Sequence, residues 1–145
     1  ISPQRQGNAM NDLQFSPQIQ PEHLADLAEQ GIQQIICHRP DGEEIGQPSF
    51  ADIAEAAADC GIDCHHLPVR GGEFPEDMIA ATKKLLENGK NTFMYCRSGT
   101  RSCIIWAAIA AENGDNIDDI INQAAELGYG IGQLRDYLAA RQRTA

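Results

Sequence analysis

No apolar run in this 145-residue sequence approaches the roughly 18 residues that a membrane-spanning helix needs, so the chain reads as soluble. The opening ISPQRQGNAM lacks the basic start and apolar core of a secretory signal. Residues 1–10 are therefore expected to be a flexible lead-in ahead of Met10, with a single domain over residues 11–145. Positive charge is scarce: 11 Lys and Arg face 21 Asp and Glu, a formal net charge of −10. A polyanion such as DNA is repelled by most of such a surface, which disfavours a nucleic-acid partner. The five cysteines are odd in number, fall at no metal-ligand spacing and make no small disulfide framework. No metal and no cofactor are expected, and a reducing cytoplasm is the natural setting. Internal repeats and low-complexity segments are absent too, which leaves a chain able to bury roughly two-thirds of its unfolded surface in one core.

What is present is alternation. LQFSPQI starts a short strand, Pro21 opens a helix that Gly31 closes, and IQQIICH follows as a strand. RPDGEEIGQP has the chemistry of a polar turn. Ser49, with Asp52 three residues on, forms a capping signal for an Ala-rich helix ending at Gly61. IDCHHLPV is the next strand, and after RGGEFP a helix runs through Leu85 and Leu86 to Gly89 before the strand TFMYC. A helix follows the cysteine, and two more surround Gly128 and Gly130. Strands alternating with helices predict an α/β domain whose central, mainly parallel sheet is flanked by helices, with ligands bound beyond the carboxyl ends of the strands.

Cys96 falls at that edge, in FMYCRSGTRS, just before a helix expected to start near Arg101 or Ser102. A loop between a strand and a helix N-terminus turns successive N–H groups inward, and the helix dipole adds partial positive charge. Such a cradle holds an anion and stabilises a thiolate, making Cys96 a candidate nucleophile. Gly99 lets the backbone turn without a side chain in the way, Arg101 offers a planar two-pronged grip on oxyanion oxygens, and Ser102 is placed to donate to the sulfur. The alternative is a structural cysteine followed by an ordinary polar turn, with two solvated arginines.

CRSGTRS resembles the loop of cysteine-dependent phosphatases, Cys, five residues, Arg, then Ser or Thr, but is one residue shorter. In that respect it also looks like the CRxGxRS loop of single-domain rhodaneses. SPQIQPEHLADLAEQGIQQIICHRPDGEE is similar to the start of dual-specificity-like phosphatases, and the likeness covers roughly residues 13–112. The Asp-x-Arg strand end and the G-H-I-x-G-A segment of rhodaneses do not occur. SPQI, RPDGEE and YCRSGTRS together resemble a bacterial family of phosphatase-like domains, also found fused to metallo-β-lactamase-like hydrolases and sometimes labelled sulfur transferases. The resemblance implies a protein tyrosine phosphatase-like fold. It also implies cleavage of a phosphomonoester, on a small molecule or a phosphoprotein, through a cysteinyl-phosphate on Cys96. Arg101 and the loop of Arg97, Ser98, Gly99 and Thr100 then hold the oxygens, and Ser102 eases departure of the thiolate. A sulfurtransferase carrying a persulfide on Cys96 and a non-catalytic oxyanion-binding module are the alternatives.

The resemblance further implies an Asp general acid on the loop before the cysteine strand, at the position Arg70 occupies. Glu73 is the substitute candidate, or else a solvated carboxylate, while Asp77 is expected to cap the next helix. Arg39 either lines the same mouth or is a salt-bridged loop residue. His65 and His66 alternate along a strand and cannot chelate one ion. Cys37 is either a buried structural thiol or a partner for oxidised Cys96. Cys103, Ile104 and Trp106 are expected on a buried helix face.

Overall fold

The computed structural model describes residues 14–145; the expected lead-in lies outside them. Contacts divide the chain into two compact units, one reaching to Ser102 and the other spanning Cys103–Ala145.

The first unit is built on four parallel strands: β1 (Gln14–Ser16), β2 (Gln34–Cys37), β3 (Asp63–His66) and β4 (Thr92–Tyr95), in the order β1-β4-β2-β3. β2 and β4 are buried at every position, as apolar runs in a sheet covered on both faces must be. Register makes Ile35 the neighbour of Phe93 and Cys37 the neighbour of Tyr95. These four share one face and form a core with Leu24 and Leu27 of α1 (Leu24–Glu29) and Ile53 and Ala57 of α2 (Phe50–Asp59). Gln34 and His38 point to the other face, where they meet Leu85 and Thr82 of α3 (Glu76–Leu86). Right-handed crossovers account for this division: α1 and α2 accompany steps one way across the sheet, and α3 the step back. The direction reverses between β4 and β2, and that is where an open parallel sheet presents a crevice at its carboxyl edge.

Local signals place the helices. Pro21 opens a 3₁₀ turn, Pro21–His23, that leads into α1. The Ser49 hydroxyl accepts the Asp52 N–H at 3.1 Å, starting α2, and Gly61 takes φ +75° after its end. Asp77 lies in the first turn of α3, where its carboxylate accepts the N–H of its neighbour Met78, and Pro75 is the N-cap. α4 (Thr100–Glu112) begins one residue before the expected start.

In the second unit, the rest of α4 carries buried Cys103 and Trp106 and half-buried Ile104. α5 (Ile117–Glu126) and α6 (Arg135–Thr144) bury Ile120, Ala124 and Leu138. Gln142 donates to the carbonyls of Ala111 and Asp115 at 3.1 and 2.6 Å, tying α6 to the end of α4. Among the described residues no helix is long and apolar enough to cross a membrane.

Candidate active site

Cys96 follows β4 directly, at the reversal point, and is fully buried. The Cys96 amide donates to Ser16 O and the Gln18 amide to Arg97 O, so the end of β1 fixes one side of the loop. Gly99 has φ +96°, a left-handed conformation that side chains resist, and this turn aims its N–H at the Cys96 sulfur, 3.0 Å away. The thiol thus already has a backbone donor from the loop it begins. Ser98 Oγ donates to Thr100 Oγ1 and accepts the Thr100 N–H, drawing the loop into the first turn of α4.

Arg101 lies in that turn. Its Nη1 and Nη2 donate to the two carboxylate oxygens of Glu43 at 2.8 and 2.9 Å, and Nη1 also donates to Val69 O at 2.8 Å. The end of the guanidinium is thereby pinned as a two-pronged ion pair. The arginine is held above its ordinary pKa chiefly by the hydrogen bond to Glu43, with the Cys96 sulfur adding to it. The same contact with Arg101, helped by Arg39, pulls the Glu43 carboxyl from 4.5 to about 2.

Neither glutamate was singled out in the sequence, yet Glu43 and Glu44 organise the arginines. Arg39, only 2% exposed, donates to Glu43 at 2.9 Å, to Glu44 at 3.0 Å and to Gln18 Oε1 at 3.0 Å. It is salt-bridged, sharing Glu43 with Arg101 and Glu44 with Arg97. Arg97 is exposed and reaches Glu44 at 3.3 Å. The two acids lie between Gly42 and Gly46, at φ +77° and +86°, and carry the polar turn read from PDG into contact with Arg97 and Arg101.

Ser102 is fully buried, but its Oγ lies 2.9 Å from Nδ1 of His38. His38 was not singled out either. It is the first residue beyond β2, fully buried, and its Nε2 lies 3.0 Å from Thr82 Oγ1. Burial above all, then the positive charge of Arg101 and the nearby His66, pulls the imidazole down from 6.5 to about 3.

Glu73 lines an open cleft of about 410 Å³ together with Asp41, His66, Arg70 and Asp77. Pro68 and Arg70, also in its wall, flank the Val69 carbonyl that receives Arg101, so the cleft adjoins the arginine. Glu73 is exposed at a turn where its N–H donates to Arg70 O. His66 stacks on Phe50 with ring centres 4.6 Å apart and bonds Arg39 O. Cys37 is buried on the α1/α2 face beside its register neighbour Tyr95 and its thiol donates to Arg39 O at 3.4 Å; burial above all raises its pKa, with the nearby Cys96 adding to the rise. Among the described residues no group of three or more His, Cys, Asp or Glu is arranged to hold a metal ion.

Residues 8–113 match the family described as "Beta-lactamase hydrolase-like protein, phosphatase-like domain". A β-lactamase hydrolase-like protein of Agrobacterium fabrum strain C58 is 37% identical over 89 residues, which is 61% of this chain and 21% of that protein. The chain thus spans about a fifth of that relative. A solved structure described as a candidate phosphatase of Neisseria meningitidis Z2491 superposes with a TM-score of 0.81 at 30% identity, covering 91% of this chain and 95% of the other. Kinase associated phosphatase superposes with a TM-score of 0.68 at 20% identity, over 86% and 76% of the two chains, a likeness that bears on the fold. The parallel sheet with its flanking helices is thus of the protein tyrosine phosphatase type.

Proposed function

The chain belongs to the phosphatase-like domain family of the β-lactamase hydrolase-like proteins, and from that premise we propose that it cleaves phosphomonoesters through a cysteinyl-phosphate on Cys96. The observation that carries this reading is the pairing at the loop: the Gly99 N–H meets the Cys96 sulfur at 3.0 Å, and Glu43 fixes the end of the Arg101 guanidinium. Pinned there, Arg101 keeps its Nε–Nη2 edge for an oxyanion. Cys96 attacks phosphorus as a thiolate and the bond to the leaving oxygen breaks. Glu73, from the adjoining cleft, supplies that oxygen with a proton. Water then attacks phosphorus, the sulfur–phosphorus bond breaks, the thiolate returns and the water proton passes to the Glu73 carboxylate. The leaving group, part of a small ester or of a phosphoprotein, occupies the cleft.

Sulfur transfer is the second reading, favoured by one feature: only four residues separate Cys96 from Arg101. A cradle shortened in this way is narrower and suits a persulfide sulfur. The purified protein and Cys96→Ser, assayed with an aryl phosphate and separately with thiosulfate plus cyanide, separate the readings. Phosphate release that vanishes in the variant is the expected result. Thiocyanate formed without phosphate release assigns sulfur transfer instead, and oxyanion binding that survives the substitution without any turnover assigns a binding module.

A further inference from the structure

Buried beneath the cysteine loop, a chain of three side chains links α3, the end of β2 and the first turn of α4. Its hydrogens can be placed by counting. Thr82 Oγ1 lies 2.8 Å from the carbonyl of Met78, one helical turn back, and a carbonyl only accepts, so the single Thr82 hydroxyl hydrogen goes there. Toward His38, 3.0 Å away, the Thr82 oxygen is then an acceptor, and the hydrogen between them belongs to Nε2 of His38. A neutral imidazole with its hydrogen on Nε2 has a bare Nδ1. The partner of Nδ1, Ser102 Oγ at 2.9 Å, must therefore donate. All three residues are fully buried, so water is not at hand to relax the assignment.

We propose that His38 is a positioning residue of the Cys96 loop: fixed as its Nε2–H tautomer by Thr82, it takes the Ser102 hydroxyl hydrogen and leaves Ser102 only lone pairs to present to the loop. The inference rests on the phosphatase reading for its catalytic meaning and on hydrogen-bond geometry for its substance. It changes the role of Ser102, because a hydroxyl that donates to His38 does not donate to sulfur. The Cys96 sulfur then takes its stabilisation from the Gly99 N–H and from Arg101, groups that also belong to the oxyanion cradle. A thiolate with fewer donors is the stronger nucleophile but is less populated at low pH. His38 is well placed for this, since its own backbone is locked at both ends: its N–H donates to Tyr95 O and its carbonyl accepts the Val69 N–H, each at 2.8 Å. Thr82 is thus part of the site's wiring although it lies on a helix remote in sequence from the cysteine. The charged and titratable groups bearing on the pair are Arg101 and His66 at the imidazole, and Arg101 and Cys37 near the thiol.

Long-range ¹H–¹⁵N correlation of the histidine side chains in the full chain tests the wiring without any substrate. At neutral pH His38 is expected as the pure Nε2–H form. A His38 with its hydrogen on Nδ1, or protonated on both nitrogens, overturns the proposal. Thr82→Val keeps the shape of the side chain and removes the acceptor, so the Nδ1–H form becomes populated, its hydrogen goes to Ser102, and the serine hydrogen is released toward the sulfur. Site-resolved alkylation of Cys96 by iodoacetamide at pH 6, read by peptide mass spectrometry, then accelerates about threefold or more in Thr82→Val. The gain is absent in Thr82→Val combined with Ser102→Ala, because no hydroxyl remains to donate. An unchanged Thr82→Val, in both tautomer and alkylation rate, overturns the proposal, as does a gain that persists without Ser102. Because neither readout uses phosphate release, an enzyme that fails the phosphatase assay can still pass this one, and the reverse.

Discussion

Arg101 has five N–H hydrogens, and three are committed within the protein: two to Glu43 and one to Val69 O. The direction of the remaining edge is therefore set by a carboxylate 58 residues away in sequence. Glu43→Gln removes the ion pair and one acceptor oxygen, and loss of one charge-assisted contact is expected to lower kcat/KM for an aryl phosphate about tenfold or more. A carboxylate that merely plugged the anion site would give the opposite result, a gain in kcat/KM, so steady-state kinetics of this single variant decide between holding and blocking. Glu73 is tested by its leaving-group dependence. If it protonates the departing oxygen, Glu73→Gln slows poor leaving groups by roughly a hundredfold and barely touches activated aryl esters, since a stabilised phenolate leaves without a proton. Equal effects on both kinds of ester would remove Glu73 from the reaction.

At the scale of elements, the strand and helix alternation was legible because each boundary carries its own chemistry. Ser49 is the clearest case. Its hydroxyl caps α2 through Asp52 N–H, and Ser49→Ala is expected to lower stability by about 1 kcal/mol in urea unfolding, with Ser49→Asp restoring most of it. The cysteine loop was legible for the same reason, since Cys96, Gly99 and Arg101 act within one turn. Glu43, Glu44, His38 and Thr82 escaped because their partners are distant: Ser102 lies 64 residues from His38 and Thr82 lies 44. RPDGEE reads locally as a polar turn, and nothing in its spacing says that a turn after β2 lands on a loop after β4. The strand order supplies that fact, by making β2 the parallel neighbour of β4. Two adjacent acids beyond one strand and two arginines beyond another were the available signal, and it becomes usable only once those strands are known to be neighbours.

For the whole molecule, one buried imidazole and one ion-paired carboxylate shape how stability responds to acid. His38 falls from an ordinary 6.5 to about 3 on folding, so the unfolded chain takes up its proton first. Its contribution is complete above about pH 6.5 and is lost as pH falls toward 3. Glu43, lowered from 4.5 to about 2, contributes fully above about 4.5 and is lost as pH falls toward 2. Acidification also relieves the repulsion of a −10 net charge, which acts in the opposite sense. The informative quantity is therefore a difference: thermal melting of the wild type minus that of His38→Asn should shrink progressively below pH 6.5, and a difference that stays constant down to pH 4 contradicts a neutral buried His38. The central claim of the proposed function is the covalent intermediate. Acid quenching of the protein during turnover of an aryl phosphate, followed by peptide mass spectrometry, measures it directly. A phosphoryl group on the peptide carrying Cys96, absent in Cys96→Ser, is the predicted result; turnover that continues in Cys96→Ser, or a phosphoryl group found on another residue, would contradict it.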